Sequence, residues 1–340
     1  MAGFSQTAKV SIHSIAVAAG TSVGTVSNVI NHPERVRPAL RARVELVMRE
    51  MHFRPDATAR ALKIGRSPLV GTVFFDISNP FFAEAAHEMD KHMQMRGSSM
   101  IVAGTEQRTS QELSVLESLE RMGVDGLIIT SMGGAWDVLA RLQEHGLPIL
   151  LFAHRAADER FEAVGVDDYQ GMKRIAEHVC KRGMTRFCFI NDTVGAIQHR
   201  DRWKGFVDGV AHSGLDPERT RVEWVPMAGR DQGYRIASAV LAGERTEWPE
   251  CFICLNDYIA MGASKAIQDA DLQVGIDIGV TGFDDVPYAS LMGTPLTTIR
   301  QPVVEMSEYV TEAILGAVER GDGAVTGKTF DAELIVRESA

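Results

Sequence analysis

From Leu69 onward the chain alternates two kinds of segment, and that alternation limits its fold more than any other feature. Short, almost wholly apolar runs stand at 70–75, 100–103, 126–129 and 149–152, and a second set at 187–190, 251–255 and 278–281. Between them lie stretches such as 81–96 and 112–122, whose apolar residues recur at helical spacing. Strands that alternate with helices and are apolar on both faces belong to parallel sheets covered on both sides. The expected fold class is therefore α/β. Two sets of runs imply two similar subdomains of parallel sheet with a cleft between them, where ligands bind beyond the carboxyl ends of the strands.

The first sixty residues follow a different rule. In 10–19 the residues Ile12, Ile15, Ala16 and Ala19 recur at i, i+3, i+4 and i+7, with Ser11 placed as an N-cap. Gly20 supplies the positive φ of a tight turn, and Ser22 is placed to cap a second helix, 23–30, with Val26, Val29 and Ile30 inward. A third helix is expected over 38–52, with Leu40, Val44, Val47, Met48 and Met51 inward and Arg41, Arg43 and Arg49 outward. Two short helices joined by a Gly turn are either a helix-turn-helix or an ordinary helical hairpin. Charge favours the first reading. Residues 1–66 hold ten basic against four acidic side chains, in a chain whose net charge is −10. A cationic head on an anionic body is the pattern of a nucleic-acid reader joined to something that is not one.

Other classes are excluded by what the sequence lacks. There is no apolar run long enough to span a membrane, and 1–9 has no secretory signal pattern. Cys180, Cys188, Cys251 and Cys254 are too few and too clustered for a disulfide framework in a chain of 340 residues. A cytoplasmic protein with reduced thiols is expected. The spacing Cys251-x-x-Cys254 has no second pair to complete a zinc site and falls within an apolar run, so both thiols read as small buried hydrophobes. No P-loop, dinucleotide fingerprint, GxSxG or HExxH is present, and the histidines form no catalytic constellation. Neither enzyme activity nor a cofactor or metal is expected.

The segment Ser-Ile-His-Ser-Ile-Ala-Val-Ala-Ala-Gly-Thr-Ser-Val-Gly-Thr-Val-Ser-Asn-Val-Ile-Asn (11–31) resembles the head of the LacI/GalR, or lactose-repressor, family. The resemblance continues through Phe-Arg-Pro-Asp-Ala-Thr-Ala-Arg-Ala-Leu (53–62), like that family's hinge helix, and on to Leu-Ile-Val-Arg-Glu-Ser (334–339). It implies a helix-turn-helix head at 1–54, a hinge helix and linker at 55–67, and a periplasmic-binding-protein-like core at 68–340. Within that core it implies an N-subdomain of about 68–165 and 298–325 and a C-subdomain of about 166–297 and 326–340.

The resemblance also places residues. Val23, Gly24 and Asn28 fall where the recognition helix reads bases, and Ser22, Thr25, Ser27 and Asn31 where it touches phosphate. Leu62 matches the leucine wedged into a minor-groove step, with Arg60 and Ala61 beside it; such a wedge unstacks and kinks the duplex. Three departures stand out. Asn28 replaces a common Arg, Asp56 replaces a common Asn, and Arg37 stands where Ser or Thr often caps the third helix.

For the effector, the segment after the first apolar run supplies Asn79, Phe81 and Phe82. Asn79 suits a helix cap, and the two aromatics suit either core or pocket wall; family position favours the wall for Phe82. Arg202 matches the effector-contacting arginine, with a salt bridge to Asp201 or another neighbour as the alternative. Asn256 and Asp284 match polar effector contacts, beside Phe283, while Asp257 and Asp285 read as structural. His154 and Ala153 stand where relatives carry Arg and Asp, leaving either Arg155 or a different ligand, and Ala228 stands where relatives place an aromatic.

These readings make the chain a sequence-specific DNA-binding transcriptional regulator, a repressor controlled by a small molecule such as a sugar or sugar derivative. Its expected partners are a pseudo-palindromic duplex operator, the effector and a second copy of itself, as a dimer or tetramer, with no membrane. The alternative is a solute-binding protein of a transport system, which needs an export signal and has no use for a basic helical head.

Overall fold

The computed structural model describes residues 12–31, 36–51, 69–154, 158–193 and 196–340, without the side chains of 30, 31, 49 and 50. The chain divides into two compact units, Met1–Ser67 and Pro68–Ala340.

In the first unit, α1 (Ile12–Ala18), α2 (Val23–Asn31) and α3 (Pro38–Glu50) pack against one another. The core is small: Ile15, Ala16, Ala19, Val26, Val29 and Val44 are buried, with Ile12, Leu40, Val47, Met48 and Met51 around them. Gly20 turns the chain at φ +59°, a left-handed conformation open to glycine at little cost. Ser22 caps α2, its Oγ accepting from the Thr25 N–H at 3.1 Å. At the start of α3 the Arg37 carbonyl accepts from Leu40 and Arg41. An arginine side chain has no acceptor to add to that cap.

The second unit contains two sheets. The first has six parallel strands in the order β11-β5-β4-β3-β1-β2: β1 (Leu69–Phe74), β2 (Ser99–Gly104), β3 (Gly126–Ile129), β4 (Ile149–Phe152), β5 (Glu162–Val166) and β11 (Lys328–Phe330). The second has four, in the order β7-β6-β8-β9: β6 (Phe187–Asp192), β7 (Arg221–Val225), β8 (Cys251–Cys254) and β9 (Gly279–Thr281). A separate antiparallel pair joins β10 (Thr298–Arg300) to β12 (Glu333–Ile335).

The helices α4 (Pro80–Met95), α5 (Thr109–Met122), α6 (Trp136–Glu144) and α11 (Val303–Arg320) accompany the first sheet. Those with the second are α7 (Asp168–Lys181), α8 (Ile197–His212), α9 (Arg230–Leu241) and α10 (Asp257–Asp269). Every apolar run named from the sequence is a strand, because a strand buried on both faces has no polar positions to spare. The burial of β3, β4, β6 and β8 is complete along their lengths.

One boundary is corrected. Residues 326–330 were expected in the C-subdomain, but β11 pairs with β5 in the first sheet, Thr329 opposite Gly165. The chain crosses back only after Phe330. β11 is three residues long and largely polar, and an edge strand of that kind carries no apolar signal. The final residues belong to the second half: Ser339 Oγ donates to the Val280 carbonyl at 2.6 Å and accepts from the Thr297 N–H at 2.8 Å.

Close approach between α7 and α8 is set by Gly205, where a Cβ would run into the Tyr169 carbonyl oxygen. This contact fixes the first turns of α8, which carry Gln198, His199 and Arg202.

Candidate functional site

The carboxyl ends of strands from both sheets converge on one cavity. Its lining includes Phe75, Asp76, Asn79, Phe81 and Phe82 after β1, Gln107 after β2, and Ala153 after β4. From the second half come Gln198, His199 and Arg202 on α8, Ala228 after β7, Asn256 after β8 and Asp284 after β9, with Gln301 after β10. The space among these atoms, open solvent included, is about 440 Å³.

Arg202 is buried, and all three of its nitrogens have acceptors on hand. Nε donates to Asp168 Oδ1 at 2.8 Å, Nη1 donates to the Leu255 carbonyl at 2.8 Å, and Nη2 lies 3.7 Å from Asp284 Oδ1. Its guanidinium lies 3.7 Å from the centre of the Phe283 ring. Arg202 thus lines the cavity and is also ion-paired, with Asp168 and Asp284. Phe283 supports the guanidinium from beneath and is absent from the cavity wall.

Burial raises the Asp284 carboxyl to about 8, with Arg202 pulling the other way and Asp257 pushing further up. Burial likewise raises Asp168, opposed by Arg202. Gln301 Nε2 donates to Asp284 Oδ1 at 2.7 Å. The neighbouring carboxylates are structural, as the sequence suggested. Asp257 accepts from the Val286 N–H at 2.9 Å and from Thr298 Oγ1 at 2.6 Å, and Asp285 pairs with Arg300 and Arg337.

Two asparagines on the wall are oriented by helix capping. Asn79 Oδ1 accepts from the Phe81 N–H at 3.1 Å at the start of α4, and Asn256 Oδ1 accepts from the Ile259 N–H at 2.9 Å at the start of α10. With the oxygen committed to the helix, the NH₂ end of each remains to donate to a ligand. Gln198 offers the opposite polarity: its Oε1 is buried without a hydrogen-bond partner. A buried acceptor left unmade is costly, so a ligand donor there is favoured. His199 Nδ1 lies 3.1 and 3.0 Å from the two Asp192 carboxylate oxygens, which leaves Nε2 as its free polar atom. Phe82 stacks on Phe74 with centroids 5.1 Å apart and packs edge-on against Phe75 and Phe81.

His154 lies elsewhere. It is buried, and it lines a second, more open groove with Val166, Asp167, Asp168, Tyr169, Asp201, Lys204 and Thr329. Ala153, just past the end of β4 at φ 49°, lines the cavity, and the next residue does not. Arg155 lies outside the described residues. The structure thus brings together Asn79, Phe81, Phe82, Arg202, Asn256 and Asp284 and leaves out His154 and Phe283. Sequence reasoning missed Phe75, Gln107, Gln198, His199 and Gln301. The first turn of α8 before Arg202 was the one available signal, since residues four apart share a helix face.

On the head, Ser22, Val23, Gly24 and Asn28 are exposed on α2, and Thr25 and Ser27 are partly exposed. The side chain of Asn31 and all of Arg60, Ala61 and Leu62 lie outside the described residues. Cys188, Cys251 and Cys254 are buried free thiols, and burial raises Cys188 to about 12. Among the described residues no cluster suits a metal ion, and no helix is long and apolar enough to cross a membrane.

A helix-turn-helix head joined to a two-lobed body with a polar cavity at its strand ends defines a class: regulators of transcription that sense a small molecule. The chain belongs to the LacI family. Residues 67–320 match the family of "periplasmic binding proteins and sugar binding domain of LacI family", and residues 11–56 match "bacterial regulatory proteins, lacI family". It is a helix-turn-helix transcriptional regulator, and its partners are operator DNA and a small-molecule effector. A role in transport is not favoured.

The transcriptional regulator KdgR of Bacillus subtilis is 28% identical over 337 residues, covering 98% of each chain. The ribose operon repressor of Escherichia coli K12 is 28% identical over 305 residues, covering 88% of this chain and 91% of that one. The crystal structure of the lac repressor dimer bound to operator and an anti-inducer superposes with a TM-score of 0.78 at 22% identity, over 98% of this chain and 99% of that one.

Proposed function

We propose that this protein is a homodimeric repressor whose effector is an uncharged polyhydroxylated molecule held in the cavity between the two lobes. The observation that carries this reading is the polarity of the lining. Asn79 and Asn256 present donors and Gln198 presents an unpaired buried acceptor, and a hydroxyl group answers both. The one arginine on the wall is already matched by Asp168, its Nε 2.8 Å from Oδ1, and Asp76 adds a further carboxylate. An anionic ligand finds no unpaired positive charge among these residues. Phe82 and Phe75 offer apolar walls for the faces of a sugar ring.

In the head, Val23, Gly24 and Asn28 read base edges, Ser22, Thr25, Ser27 and Asn31 hold phosphates, and Leu62 wedges a central step with Arg60 and Ala61 beside it. Two heads on a dimer match a pseudo-palindromic site, and the lac repressor binds its operator as a dimer. Effector binding changes the angle between the lobes and thereby the order of the hinge at 55–67, which couples cavity to operator. A protein working on chromosomal DNA acts in the cytoplasm, and its role is regulatory rather than enzymatic.

The test has two arms. A thermal-shift screen of D-ribose and other neutral sugars, sugar acids, nucleosides and purines should raise the melting temperature only with neutral sugars, because ligands of the folded state stabilise it. Deleting 1–67 should abolish salt-dependent operator binding and keep that shift. A shift produced by sugar acids or purines alone, or by none of the compounds, would sink the effector assignment.

A further inference from the structure

A hydrogen-bonded contact joins the two lobes within the lining of the cavity. Gln107 stands in the loop between β2 and α5, in the first lobe, and Ala228 in the loop between β7 and α9, in the second. The Gln107 carboxamide meets the Ala228 backbone twice: Oε1 accepts from the Ala228 N–H at 3.3 Å, and Nε2 donates to the Ala228 carbonyl at 3.4 Å. A side-chain amide thus pairs with a peptide group much as a neighbouring strand would.

The loop that presents Gln107 is built at a cost. Glu106 and Gln107 are consecutive non-glycine residues at φ 51° and 54°, a conformation that L side chains avoid. It is held by the Gln107 N–H, which donates to the Phe75 carbonyl at 3.0 Å, and by the Arg108 N–H, which donates to Thr105 at 2.9 Å. Strain of this kind persists where surrounding structure enforces it, and here it aims one side chain over the cleft. Ala228 is buried and contributes only a methyl group, so its backbone is open to the clasp.

We propose that Gln107 is the latch of this cavity, a positioning residue that holds the two lobes together within its lining and must release for a ligand to enter or leave. Its amide bridges lobe to lobe at a position where Ala228 contributes only a methyl group. Because Phe75 is both a wall of the cavity and the backbone anchor of the Gln107 loop, a ligand that displaces Phe75 acts on the latch directly. The consequence for effector exchange rests on the reading of the cavity given above, whereas the latch itself is testable without ligand.

Hydrogen exchange of the full-length, ligand-free protein, read by mass spectrometry on the segment 226–230, reports the Ala228 amide. Gln107→Leu keeps the bulk and removes both hydrogen bonds; Gln107→Gly removes the side chain and relaxes the left-handed backbone, so it folds. Both should exchange about five- to tenfold faster at 226–230, as expected for losing a pair of weak hydrogen bonds, with β1 and β6 unchanged. Wild-type exchange at 226–230 in Gln107→Leu overturns the proposal, and so does acceleration spread equally through β1 and β6.

Discussion

Arg202 and Asp168 form a buried ion pair, Nε to Oδ1 at 2.8 Å, with the side chains only 6% and 4% exposed. The pair joins the start of α7 to α8 and sets the guanidinium on Phe283, beside the cavity. One charge thereby serves both the packing of the second lobe and the wall of the site. Removing Arg202 strands Asp168 without a counter-charge. Arg202→Met should cost about 3–5 kcal/mol of stability, and Asp168→Asn in the same chain should restore part of it. Neither variant should show a ligand-induced melting shift. Urea unfolding alongside the thermal screen separates the two effects; full stability in Arg202→Met would contradict the ion pair's structural role.

Asp284 gives the body a pH dependence of definite sign. Its folded-state carboxyl is raised from the ordinary 3.8 to about 8, chiefly by burial. Such a group holds its proton more tightly folded than unfolded. Its contribution to stability is full below about pH 4 and is lost as pH rises toward about 8. Asp284→Asn keeps the shape and removes the titration. Relative to wild type, its melting temperature should improve between pH 5 and pH 8.5 by at least about 2–4 °C, equivalent to roughly 1 kcal/mol in a body of this size. A constant difference across that range would refute the assignment.

Asn79 has two separable duties. Asn79→Asp retains a capping oxygen beside the Phe81 N–H and loses the amide donor. It should preserve stability while weakening the neutral-sugar melting shift. Asn79→Ala should lose both, with a stability cost of about 1 kcal/mol. If Asn79→Asp binds as well as wild type, Asn79 is a cap alone.

Asn28 is exposed on α2, the second helix of the head, and is proposed above to read a base edge. Asn28→Ala should change preference at one base pair of each half-site by about 1–3 kcal/mol while leaving non-specific affinity and its salt slope unaltered. Binding measured across single-base operator variants decides the matter. Uniform weakening on every variant would mean Asn28 touches phosphate only.

Much of this protein was legible in its residues. The apolar runs at 126–129, 149–152 and 251–255 are strands because burial on both faces leaves no room for polar positions, and the inward stripes of Ile15, Ala16 and Ala19 or of Val44, Val47 and Met48 follow helical period. Less was legible where elements are short or polar. β11 was assigned to the wrong lobe because Lys328, Thr329 and Phe330 carry no apolar pattern, and β5, β7, β10 and β12 went unnoticed for similar reasons. His154 was placed with the site because sequence position cannot say which of two adjacent residues at a strand end faces the cleft.

Local chemistry, then, determined from the sequence alone the class of each segment, the cationic head, the parallel-sheet body and the strand ends where polar residues gather. Folding decided which of those polar residues meet. Arg202 finds Asp168 across 34 positions of chain, and Gln107 clasps Ala228 across 121. Such pairings depend on how two sheets and their helices pack, because hydrogen bonds and ion pairs act over a few ångströms in space whatever the separation along the chain.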